Sequence, residues 1–172
     1  ASSDNQSATP NGTYTAPRAT ANLSDAHAVQ DVDVYENNSV VLDGQRRHAR
    51  VEVGGVLSGS GTVTDLTVYP GGELSPGHSP GCISSGDLVL SGIYTAQLGG
   101  TTACSGYDQV KVAGAVQVGG ALSLSLYGGF VPGDGQSFTV IDNDGSDVVS
   151  GAFTGFPEGA TITLGGKTLG IS

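Results

Sequence analysis

The chain has no methionine and no tryptophan; aromatic residues make up 6% of it and charged residues 13%. A core built on large aromatic side chains is therefore excluded, and small aliphatic residues must fill the interior. Positive charge is scarce: six Lys and Arg stand against sixteen Asp and Glu, for a formal charge of −10. That sign opposes general binding to nucleic acid or to an anionic membrane surface, since both attract basic proteins. No apolar run approaches the roughly 18 residues that a membrane-spanning helix needs, so no membrane insertion is expected. Good helix formers are thinly scattered among Ser, Thr, Gly, Val and Leu, an all-β composition.

What is abundant is glycine, 29 of 172 residues, without the every-third-residue spacing of collagen. The length fits one folded domain. The first residue is Ala, which matches the product of cleavage behind a small-residue site, so the expected location is secreted or at the cell surface. Two cysteines, Cys82 and Cys104, are then expected to form a disulfide. Neither lies in a Cys-x-x-Cys pair or beside a histidine, which argues against redox or metal chemistry.

Residues 1–28 hold Asn, Ser, Thr, Ala, Pro10 and Pro17 with almost no apolar periodicity, and read as an extended or disordered arm. From Val29 the chain turns to short runs of period two: Val32 and Val34, Val40 to Leu42, Val51 and Val53, then 62–72, 87–100, 107–120, 121–129, 138–145 and 160–172. These are predicted strands. Glycine pairs close many of them, at Gly54–Gly55, Gly71–Gly72, Gly99–Gly100, Gly119–Gly120, Gly128–Gly129 and Gly165–Gly166, spaced by 17, 28, 20, 9 and 37. Such spacing suggests a coil with rungs of about 20 residues, each burying its Val, Leu and Ile by stacking on its neighbours. The expected fold over 29–172 is therefore a parallel β-helix, or β-solenoid. A β-sandwich is the alternative, since it too needs short strands with frequent turns.

The run G-x-V-x-x-L-x-V at 61–68, GGELSPGHSPG at 71–81, YDQVKVAG at 107–114, VGGALSLSL at 118–126 and GAFTGFPEGATI at 151–162 carry a family likeness. Over about residues 50–165 the chain resembles the glycine-rich repeat region of large bacterial surface proteins of autotransporter-passenger-like and adhesin-like type. The resemblance implies a right-handed β-helix and a scaffolding or adhesive role at the cell surface. It carries little about activity, and the chain is shorter than those proteins usually are.

No enzyme is expected. The chain has no G-x-S-x-G, and His27, His48 and His78 share no zinc-site spacing. A polysaccharide-degrading β-helix needs paired acids and usually aromatic sugar platforms, and the latter are scarce here. Asp142, Asp144 and Asp147 crowd a glycine turn and form the one candidate calcium loop, although the spacing does not fit an EF-hand. Apart from that Ca²⁺ no cofactor is expected. Arg46, Arg47, His48 and Arg50 form the one basic cluster; Arg46, Arg47 and Arg50 set against Asp31 and Asp33 are a candidate subunit interface. Three Asn-x-Ser/Thr matches, at Asn11, Asn22 and Asn37, fit chance in so Asn-, Ser- and Thr-rich a chain.

The expected function is a structural or adhesive cell-surface module. Unpaired strand edges at the ends of a coil recruit further strands unless charge, proline or a cap blocks them. The alternative is thus a filament subunit assembled head-to-tail, with the N-terminal arm as an added strand. A polysaccharide-binding or polysaccharide-degrading role is the third reading. Expected partners are further copies of the chain, or a host or matrix glycan or protein.

Overall fold

The computed structural model describes residues 31–172 and the backbone of residues 20–23; the rest of the expected arm, 1–28, lies outside the described residues. Within them the chain is all-β, without a helix. The strands are β1 (Thr20–Leu23), β2 (Val32–Val34), β3 (Ser39–Leu42), β4 (Gln45–Val51), β5 (Val56–Gly59), β6 (Thr62–Val68), β7 (Glu73–Pro76) and β8 (Cys82–Leu90). They continue with β9 (Ile93–Leu98), β10 (Gln109–Val112), β11 (Val116–Val118), β12 (Ala121–Leu126), β13 (Ile141–Asn143), β14 (Val149–Gly151), β15 (Thr161–Leu164) and β16 (Lys167–Gly170). Part of the expected arm is thus a strand, β1.

The chain alternates between two sheets. The first runs β1-β3-β5-β7-β9-β12; the second begins β2-β4-β6-β8 and then splits, with β10 and β11 both pairing with β8 and carrying β13 and β14. Every pairing in these sheets is parallel. Only the terminal hairpin β15–β16 is antiparallel. Parallel partners cannot be joined by a tight hairpin. Here the excursion that separates them is a strand of the opposite sheet.

Register makes the repeat visible. Val56 pairs with Glu73, an offset of 17 residues; Glu73 pairs with Ile93, an offset of 20; Ile93 pairs with Ala121, an offset of 28. The turns therefore lengthen toward the C-terminus, and the Gly54–Gly55 to Gly71–Gly72 spacing of 17 is one turn. Inward residues fall in columns. Val40, Leu57, Leu74 and Tyr94 succeed one another in the first sheet, and Ala49, Leu66, Leu88 and Val116 in the second. All eight are buried, and burying each larger aliphatic contributes about 1.5–3 kcal/mol.

Two local departures from period two shape the second sheet. In β4 and β6 the sequence of exposure places two outward residues between inward ones, Arg47–His48 and Thr64–Asp65. The strand bends there, and one register farther on Gly86 sits at the same corner, its Cα facing the Thr64 carbonyl. At the opposite corner Gly72 passes so close to the Val51 carbonyl that a Cβ would stand 2.5 Å from its oxygen. Close approach of successive turns explains that glycine.

Three sequence expectations need correction. Val53 is 60% exposed and lies in the turn after β4 rather than in a strand. Residues 45–51, with their run of Arg and His, form a strand whose alternation the charges conceal. Gly99–Gly100 does not mark a turn between successive strands of the coil but opens the loop that leads to Cys104.

Candidate functional site

The outer face of the second sheet carries a row of charged residues, several of which parallel register pairs off. Arg50 stands opposite Asp33 on β2. Its Nη1 donates to Asp33 Oδ1 at 3.1 Å and lies 3.8 Å from Asp31, while Arg47 Nε donates to Asp31 at 3.3 Å. The hydrogen bond to Asp33 outweighs partial burial and raises the Arg50 pKa above its usual value. Two of the three arginines expected at an interface therefore meet their predicted carboxylates within one chain. Arg46 instead points into the interior, 6% exposed, and its Nη1 donates to the Gln45 carbonyl at 2.7 Å.

The histidines follow the same pattern. His48 Nδ1 lies 2.7 Å from Asp65, one strand along in register. His78 Nε2 lies 2.6 Å from Asp43, whose same oxygen accepts the Ser60 N–H. His27 lies outside the described residues. These are surface contacts on ladders and loops.

Cys82 and Cys104 are joined in a disulfide. It ties the start of β8 to the loop after β9, the longest turn of the first sheet up to that point. The residue that organises this loop is Asp108, which the sequence reading missed. It is 1% exposed; Oδ1 accepts the Gly81 N–H at 2.7 Å and Oδ2 the Gln97 N–H at 2.8 Å. Desolvation raises its pKa, and the two backbone hydrogen bonds oppose that rise. Asp108 lies immediately before β10, at Tyr107-Asp108-Gln109.

Among the described residues no group of three or more His, Cys, Asp or Glu side chains converges as a metal ion requires. Asp142 faces outward from β13 in register with Lys111. Asp144 accepts both the backbone N–H and the hydroxyl of Ser146, which lowers its pKa, and Asp147 accepts the same hydroxyl. The expected calcium carboxylates thus serve a turn, with the Asn143 side chain accepting the Gly145 N–H beside them.

A large concavity lies at the C-terminal end of the two parallel sheets. The inward residues of β3, β5 and β7 are covered by the strand that follows each in the first sheet, but among the described residues none follows β12. Leu122 and Leu124 are only half-buried, and Val149, in register with buried Val116, is 61% exposed. The chain starts another turn, with Thr154 N–H donating to the Gly120 carbonyl at 2.8 Å, and then leaves the sheet to form the β15–β16 hairpin. Between hairpin and last turn is a cavity of about 700 Å³ lined by Leu122, Leu124, Phe153, Phe156, Ile162 and Leu169 among others. Its size and apolar walls suit a bound group.

No protein-family model matches the chain, and no curated protein or solved structure does either.

Proposed function

We propose that the chain is a non-catalytic, exported module of a cell-surface protein: a right-handed parallel β-solenoid that serves as a stalk or adhesive segment. The observation that carries this reading is the register, in which inward aliphatics return to the same columns turn after turn. Such a coil gains length without new chemistry, as a scaffold requires. Parallel strands favour it over the sandwich alternative, whose sheets are antiparallel. Right-handedness follows the strong preference of parallel crossover connections. The likeness to the repeat region of bacterial autotransporter-passenger-like and adhesin-like proteins points the same way, and a disulfide is compatible with an oxidising, extracellular location.

The polar side chains support a non-catalytic role. The two His–carboxylate pairs are at the surface: His48 and Asp65 lie on an outer sheet face, where Asp65 stands in register with Asp87, and His78 meets Asp43 from a loop. The test is to incubate the protein with a panel of host and bacterial polysaccharides and matrix proteins, scoring both retention and new reducing ends. Retention without products is expected. Turnover that disappears on Asp65→Asn or Asp87→Asn would overturn the proposal.

A further inference from the structure

We propose that the C-terminal end of the coil is a strand-acceptor site: it binds an extended polypeptide segment of another protein, apolar at alternate positions and bearing Lys or Arg, which adds in parallel beside β12. This inference does not depend on the cell-surface reading.

The backbone supplies the first reason. Ala121 N–H donates to the Gly92 carbonyl and Tyr127 N–H to the Leu98 carbonyl, both at 2.9 Å. In a parallel ladder successive residues alternate in the side to which their N–H and C=O point. The odd-numbered residues of β12 therefore serve β9, and Leu122, Leu124 and Leu126 present theirs to the opposite side. Among the described residues no strand pairs there, and the first sheet ends at β12. The hairpin hydrogen-bonds as a strand only with itself; β15 approaches β12 without pairing with it, and the β15–β16 turn, at Gly165, packs against the Leu126 side chain.

The interior supplies the second. Leu122 continues the column of Leu57, Leu74 and Tyr94. Those three are fully buried, whereas Leu122 borders the cavity of about 700 Å³. A strand laid along β12 places alternate side chains in that cavity, so ladder and column are extended together. This is the physics of strand addition.

Charge selects the occupant. Of the charged residues that line the cavity, Asp134 and Glu158 stand against Lys167, which is held by Asp134 at 2.7 Å and so leaves Glu158 unneutralised there. A basic segment is attracted to this end, whereas a second copy of a chain of formal charge −10 is repelled.

The probe is a short fluorescein-labelled synthetic peptide alternating valine with threonine and lysine, titrated with the protein and followed by anisotropy. Saturable binding is expected. N-methylating alternate amides should weaken it about tenfold or more in one phase and little in the other, since only one set joins the ladder. Replacing lysine by glutamate should weaken binding at low salt, with the difference shrinking as salt rises. Leu124→Gln should weaken it, and Ser58→Ala, on an outer face, should not. Hydrogen exchange on the unaltered protein decides the case if Leu124→Gln does not fold: bound peptide should protect the amides of Leu122, Leu124 and Leu126 selectively. Failure to bind, indifference to both methylation phases, or unchanged exchange in β12 overturns the proposal. So does a stable dimer in sedimentation that the peptide cannot displace, which would make the occupant a second copy.

Discussion

Leu74→Ala and Leu124→Ala remove the same atoms from the same sheet, yet the structure assigns them different costs. Leu74 is fully buried, with Leu57 on the strand below it and Tyr94 on the strand above. Truncating a leucine in such a closed column costs about 2–5 kcal/mol, the transfer free energy plus the cavity left behind. Leu124 is half-buried and borders an existing cavity, so only part of the transfer term is lost, about 1 kcal/mol. Urea unfolding reads the difference as a shift in midpoint at constant slope. In thermal unfolding a domain of this size loses about 2–4 °C per kcal/mol, so a 3 kcal/mol loss at Leu74 appears as roughly 6–12 °C. Equal losses for the two variants would refute the open end, because Leu124 would then be as well covered as Leu74.

Adjacent glycines provide a second test: a Cβ on Gly119 meets open space, whereas one on Gly120 collides with the Gly92 carbonyl oxygen. Gly119→Ala should leave stability unchanged or raise it by up to about 1 kcal/mol, and Gly120→Ala should lower it by about 1–3 kcal/mol, both read from urea midpoints. Asp108→Asn should cost about 1–3 kcal/mol, because the amide can accept only one of the two backbone N–H groups the carboxylate now accepts. The raised pKa of Asp108 also sets a sign: between the ordinary 3.8 and the raised folded value the unfolded chain has lost the proton that the native state keeps, so this group's contribution to stability falls as pH rises. The difference in stability between wild type and Asp108→Asn across the acid range should show that slope, and a difference that grows with pH would contradict it. Replacing both Cys82 and Cys104 by serine should lower stability by roughly 3 kcal/mol by the loop-closure argument, measured by the same unfolding.

Much of the all-β, parallel arrangement was legible because burial of one face imposes period two, and Val32–Val34 and Ala121–Leu126 show it openly. The glycine spacing of 17 recorded a real turn because successive backbones approach too closely there for a Cβ. The strand at Gln45–Val51 was hidden because its outward residues are charged and Arg46 takes an inward position. Glu73–Pro76 was hidden because four residues ending in proline resemble a turn. Asp108 gave no sign of its role, since its two donors, on Gly81 and Gln97, come from distant sequence. The pairing of Arg47 and Arg50 with Asp31 and Asp33 was readable as chemistry, but only the parallel register shows that it forms within one chain. The end cavity was not legible at all, because it depends on where the chain leaves the sheet after Thr154.

The measurement that bears most directly on the open edge at β12 is native-state hydrogen exchange resolved to single amides. The structure predicts slow exchange throughout β5, β6 and β8, where each strand is flanked on both sides, and faster exchange at Leu122, Leu124 and Leu126, whose amides face no strand among the described residues. Protection of those three amides equal to that of β6 would contradict the account.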